Sequence, residues 1–205
     1  PLTKDETQKI TLLGFSSYYP VQGGDMGSSL NVNEGTDADT VDMVQAFKAK
    51  GFGLNQTVAD MYEALKPIYT SEVQSWGGTV EYNHITAPST TGVFSSKEPS
   101  QAAMNSQDAG WKDSMNDNNV MIVTIARSAS ENGTYLPGTA GVDPTQNLNQ
   151  TDPLGLSDDE RDLIQAAVDA KASNGGKVIV LLNNASAMEV QEIQDNDGVD
   201  AILQV

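Results

Sequence analysis

The chain contains no cysteine and a single histidine, His84. Without cysteine there is no disulfide frame, no thiolate nucleophile and no Cys-ligated zinc. One histidine leaves little room for a His-based triad or metal centre. Basic residues are also scarce: 11 Lys and Arg stand against 28 Asp and Glu, a formal net charge of −17. A surface so charged repels a polyanion, which argues against nucleic acid and against an anionic membrane as partner. No apolar run approaches the ~20 residues that a spanning helix needs. Aromatics make up 6% and hydrophobic residues 38% of the 205 positions, enough for one good core. Any chemistry must therefore come from carboxylates and hydroxyls.

Three short apolar runs read as strands covered on both faces: residues 10–13, 120–126 and 178–182. Residues 52–54 and 199–205 are weaker strand candidates. Between them lie helical patterns. Residues 36–50 place Val41, Val44 and Phe47 near one face, with Gly51 as a stop, and residues 56–66 carry Val58, Met61, Tyr62 and Leu65 as a stripe that Pro67 should end. Ser157-Asp158-Asp159-Glu160 has the pattern of a capping box, with Leu163, Ile164, Ala167 and Val168 behind it and Gly175-Gly176 to close the helix. Ser186-Ala187-Met188-Glu189 repeats that pattern. Strand and helix alternate from Val120 onward. The expected fold is a three-layer α/β sandwich, a mostly parallel central sheet with helices on both faces. Residues 66–100 read as an insertion or surface excursion in which only 79–82 is strand-like. The absence of repeats and low-complexity linkers implies a single domain over 1–205. The chain opens at Pro1 and stops within the apolar stretch 201–205, so we expect a piece of a longer polypeptide.

In an open parallel sheet, ligands gather beyond the C-terminal ends of the strands. The segments that follow Leu13, Ala126 and Leu182 are rich in Gly, Ser, Asn and Tyr, which suit close backbone approach and hydrogen bonding. None contains a phosphate-binding glycine motif of either common type. Glu131, five residues beyond Ala126, is the candidate general acid; as one acidic residue among 28 it also fits a solvated surface charge. Arg127 suits either a partner for Glu131 or a cap on the strand end. Asp143 and Asp152 share the same loop. Trp76 and Trp111 suit sugar stacking or core anchoring equally, and His84 reads as a surface residue. Asn55, Asn132, Asn149 and Asn184 begin glycosylation sequons by pattern.

Several blocks, in order and spanning nearly the whole chain, resemble the α/β-sandwich domain of family 3 glycoside hydrolases. They are Ile10-Thr-Leu-Leu-Gly-Phe-Ser-Ser-Tyr-Tyr-Pro-Val-Gln-Gly-Gly24, Lys50 with the Gly-Phe-Gly-Leu that follows, and Arg127 with Glu131 after the strand 120–126. Leu156-Ser-Asp-Asp-Glu160 through Leu163-Ile164, Lys177-Val-Ile-Val-Leu-Leu-Asn-Asn-Ala-Ser-Ala-Met-Glu189 and Gly198-Val-Asp-Ala-Ile202 complete the set. The resemblance implies a retaining β-glucosidase-like hydrolase, with Glu131 as its acid/base. A (β/α)8 barrel absent from this chain would supply the Asp nucleophile. Arg127, Ser130, Asn132, Tyr19, Gly23 and Gly24 are the sugar contacts it suggests. The implied partners are a β-glucoside or oligosaccharide and the barrel of the same polypeptide, with no cofactor and no metal. Compartment stays open between cytoplasm and cell exterior of a bacterium. Asn132-Gly133-Thr134-Tyr135 departs from the family's commoner Gly-x-Asp-Arg after the Glu, so a non-catalytic carbohydrate-binding module on the same scaffold is the alternative.

Overall fold

A strand buried on both faces favours apolar residues, and residues 120–127 supply them at every position but Thr124 and Arg127. The computed structural model describes residues 9–20, 41–69, 71–75, 78–82, 98–127, 155–184 and 187–205. Five strands form one parallel sheet: β1 (Lys9–Leu13), β2 (Gly53–Leu54), β5 (Val120–Arg127), β6 (Lys177–Asn184) and β7 (Ala201–Gln204), in the order β2-β1-β5-β6-β7. All eight residues of β5 are buried. Alternation then divides each strand between two faces. Ile10, Leu12, Val120 and Ile122 face one layer, where Met43, Val44 and Phe47 of α1 (Met43–Ala49) cover them. Leu13, Met121, Val123, Ile125, Val178 and Val180 face the other. There they meet α2 (Gln56–Tyr69), α3 (Gln101–Gln107) and α4 (Asp158–Asn174), with Ile193 of the short α5 (Gln191–Gln194). The expected three-layer sandwich is what forms, with every pairing of the large sheet parallel.

Local chemistry explains most element ends. Ser157 and Glu160 form the expected capping box: Glu160 N–H donates to Ser157 Oγ at 3.2 Å and Ser157 N–H to Glu160 Oε2 at 2.8 Å. Gly175 closes α4 in the left-handed region, at φ 68°. Three expectations shift. The helix before β2 begins at Met43 rather than at residue 36, because Asp42 is extended and caps it through Gln45 N–H. Val41 therefore lies outside the helix and is 72% exposed. Pro67 does not end α2, which runs on to Tyr69. A proline in the last turn removes a single backbone hydrogen bond, and the extension brings Tyr69 into the core, 5.9 Å from the Phe15 ring. The helix after β6 starts at Gln191, from an uncapped Val190, and not at the Ser186 signature; Ser186 itself is outside the described residues.

Two elements were not expected at all. Residues 71–75 form β3 (Ser71–Ser75), antiparallel to β4 (Gly78–Tyr82), a separate two-stranded sheet. Residues 101–107 form α3, capped by Ser100 and packed between α2 and α4. Trp111, which follows α3, is wholly buried and donates to Asn105 Oδ1 at 2.9 Å. It is a core anchor and stacks on nothing in solvent.

The β6–β7 edge is tied by Asp200. It accepts from Val178 N–H at 2.9 Å and pairs with Lys171 at 2.8 Å and Lys177 at 3.0 Å. Burial alone would raise its pKa, but these donors outweigh burial and hold it down to about 2. A depressed carboxylate adds stability above its unfolded pKa and loses it as pH falls toward the folded value. Asp200 is an exposed residue whose ion pairs are partly screened, so Asp200→Asn is expected to cost only about 1 kcal/mol at pH 7. The wild-type advantage should shrink between pH 4 and pH 2, as read by urea unfolding at each pH. An equal loss at all pH values would show that packing, not charge, holds the edge.

Candidate functional site at the C-terminal edge of the sheet

From β1 the chain moves to β2 on one side, then crosses to β5 on the other. The direction of winding reverses between β1 and β5, and the crevice beyond their C-terminal ends is the place where open α/β sheets bind ligands. The residues after β1 are built tightly against β5. Gly14 has φ 89° and ψ 132°, and a Cβ there would lie 2.2 Å from the carbonyl oxygen of Thr124 in β5. Only glycine allows the two strands to meet so closely while the chain turns. Phe15-Ser16-Ser17 then make a 3₁₀ turn, closed by Ser17 N–H on Gly14 O at 2.9 Å. Ser17 Oγ bonds Leu13 O at 2.7 Å and Thr124 Oγ1 at 2.6 Å, while Tyr18 donates to Leu12 O at 2.9 Å.

Tyr19, one of the expected sugar contacts, lies at this edge and is partly exposed. Its ring packs 4.8 Å from Phe15, the Lys66 ammonium sits 4.9 Å from its centroid, and its hydroxyl donates to Glu63 Oε2 at 2.5 Å. Phe15, Lys66 and Glu63 thus fix the ring at the C-terminal edge of the sheet.

Arg127, the last residue of β5, is wholly buried. Its guanidinium forks onto Glu160 of α4, Nη1 to Oε1 at 2.6 Å and Nη2 to Oε2 at 2.8 Å, and also donates to Ala126 O and Gly155 O, each at 2.8 Å. Five donors in one plane let a single arginine hold the strand end, the return of the chain at Gly155 and the first turn of α4 together. Arg127 thus clamps the strand end; a pairing with Glu131 concerns a residue outside the described ones. Glu131, Ser130, Asn132, Gly23 and Gly24 lie outside the described residues, as do Asp143, Asp152, Trp76 and His84.

One residue at this edge escaped the sequence reading. Glu98 is 7% exposed, and its Oε2 accepts from Phe15 N–H at 2.8 Å while its Oε1 accepts from Tyr62 at 3.2 Å. Burial, reinforced by the negative charges of Glu160 and Asp159, pushes its pKa up to about 8 against the opposing hydrogen bonds. In the sequence Glu98 is a charge in a polar stretch beside Pro99. The only signal was indirect: Tyr62 sits on the buried stripe of α2, and a buried tyrosine hydroxyl needs a partner.

The sequon at Asn55 is accounted for differently. Asn55 is 6% exposed and its Nδ2 donates to Thr11 Oγ1 at 3.1 Å and Ser114 Oγ at 2.9 Å, so this amide is a core tie and not a glycan acceptor. Among the described residues no group of three or more His, Asp or Glu side chains is placed to hold a metal ion.

No protein-family model and no curated protein matches the chain. Solved structures do. β-Glucosidase 3B from Thermotoga neapolitana in complex with glucose matches at 25% identity and a TM-score of 0.59, covering 98% of this chain and 23% of that one. The same enzyme in complex with α-D-glucose matches at 23% identity over the same shares, also with a TM-score of 0.59. A β-glucosidase from Paenibacillus barengoltzii matches at 17% identity and 0.59, covering 95% of this chain and 18% of that one. The chain thus spans less than a quarter of the length of these proteins, and it has the fold of that part of a β-glucosidase.

Proposed function

We propose that this chain is the acid/base-bearing α/β domain of a retaining β-glucosidase-type hydrolase. In this reading it is one domain of a longer polypeptide whose (β/α)8 barrel carries the Asp nucleophile. The observation that carries the reading is the likeness to β-glucosidases across 98% of the chain, taken with the reversal of strand order between β1 and β5. Retaining hydrolysis needs two carboxyls about 5–5.5 Å apart, one to attack the anomeric carbon and one to protonate the leaving oxygen. Glu131 follows the clamped end of β5 by four residues and is the proton donor in this scheme. It then takes a proton from water to release the sugar. Tyr19, Ser130, Asn132, Gly23 and Gly24 are the sugar contacts in this scheme. Arg127 supports the site from below rather than touching sugar.

Glu131→Gln in the full-length protein tests the assignment. An acid matters most where the leaving group is poor, so hydrolysis of alkyl β-glucosides should fall by at least about 100-fold. Activated aryl glucosides should lose far less. Equal, small effects on both substrates would remove Glu131 from the mechanism. Residues 1–205 alone should hydrolyse neither, and Glu131-dependent turnover by them would overturn the shared-site scheme. Glucose binding by a full-length protein that hydrolyses no glycoside would instead favour the binding-module alternative.

A further inference from the structure

The turn 14–20 carries no charged residue of its own, yet a carboxyl from 83 positions away is bonded to it. We propose that Glu98 is the positioning residue of the strand-end site: its carboxyl, with Tyr62, sets where the turn after β1 lies and hence where Tyr19 stands. The proposal rests on the reading of that turn as part of a sugar site, and it names the residue that governs the turn.

Two consecutive amides of the turn end on one Glu98–Tyr62 unit. Phe15 N–H donates to Glu98, and Gly14 N–H donates to Tyr62 Oη at 2.9 Å. The unit is also wired to the rings beyond it. Tyr62 stacks on Tyr18 with centroids 4.7 Å apart, and Phe15 packs 4.8 Å from Tyr19. A change at the carboxyl therefore reaches both tyrosines through rigid aromatic contacts.

The surroundings make that carboxyl changeable. Tyr62 and Tyr69 of α2 face it, and so do Asp159 and Glu160 of α4, the latter paired with Arg127 of β5. Burial and the two α4 carboxylates oppose ionisation, while Phe15 N–H and the Tyr62 hydroxyl favour it. An ionised Glu98 accepts both bonds; a protonated one must donate from one oxygen, which alters its grip on Tyr62. Proton loss is set at about pH 8, so the turn has two hydrogen-bonding arrangements within reach of neutral pH.

Backbone and aromatic NMR of the 205-residue chain between pH 5 and 9.5 tests this. The Gly14 and Phe15 amide signals and the Tyr19 ring signals should move together with one midpoint near 8. In Glu98→Gln they should be flat across the range. A midpoint in the ordinary carboxylate region, or Tyr19 signals that ignore the titration, overturns the proposal. The wild-type titration alone decides the matter should Glu98→Gln fail to fold. In the full-length protein, kcat/KM should change by up to about tenfold between pH 7 and 9 through this one ionisation, and Glu98→Gln should abolish that change. A protein that hydrolyses no β-glucoside but shows the shared NMR midpoint would refute the hydrolase reading and keep Glu98 as governor of the turn. Glu131-dependent hydrolysis with the same pH profile in both forms would refute Glu98 alone.

Discussion

Replacing Arg127 with Met is expected to destabilise the chain by about 3–5 kcal/mol. The guanidinium and its partner carboxylate are both sealed from solvent, with side-chain exposures of 0% and 3%. Removing the cation leaves Glu160 with a desolvated charge, and it strips donors from Ala126 O and Gly155 O. Methionine fills most of the volume, so the loss reports charge and hydrogen bonding more than a cavity. The double variant Arg127→Met/Glu160→Leu separates these contributions. With neither charge present, much of the loss should return, although Glu160 also serves Ser157 N–H in the capping box and that share stays lost. Urea unfolding with an unchanged m-value is the measurement. A single-variant cost below about 1 kcal/mol would mean that the pair is screened like a surface bridge.

Gly14→Ala should cost about 3–5 kcal/mol, from two sources that can be measured separately. The backbone at φ 89°, ψ 132° is strained for any residue with a Cβ, worth about 1–3 kcal/mol. The methyl would also meet Thr124 O at 2.2 Å and Thr124 C and N at 3.1 Å. These are backbone atoms of β5, a strand paired on both sides, so they yield only by opening the β1–β5 ladder. Gly175→Ala supplies the comparison. Gly175 also has positive φ, 68°, but nothing stands within 4 Å of a Cβ there. Its alanine variant should lose only about 1–2 kcal/mol. Similar losses at the two positions would show that conformation, not the approach to Thr124, dictates glycine after β1.

The large sheet was legible because its central strands are covered on both faces and are therefore mostly apolar. The runs 10–13, 120–126 and 178–182 fall within β1, β5 and β6. The α4 boundaries were legible because capping is local chemistry between residues three apart. What resisted reading is non-local or polar. β3 is Ser-Glu-Val-Gln-Ser, with one apolar residue and hence no alternation to detect. The end of α2 depended on where Tyr69 could be buried, which Pro67 does not reveal. The Arg127–Glu160 fork joins residues 33 apart in a chain with 28 acidic side chains, and nothing in either neighbourhood marks the pairing. Glu98 is hidden for the same reason. The strand ends where a site is expected were legible from the apolar runs, whereas the groups that hold them in shape come from tertiary contacts. Glu131 and its neighbours lie outside the described residues, so their part in the site stays a proposal.

Arg127 has a consequence for how such a domain can diversify. It grips Gly155 O and Glu160 from the end of β5, so residues 128–154 leave and rejoin the scaffold at one anchored knot. Lengthening a segment whose ends are already fastened costs only about 0.6 kcal/mol per doubling. Descendants can lengthen, shorten or rewrite those residues, while inheritance of the sheet beneath them depends on keeping one arginine and one glutamate.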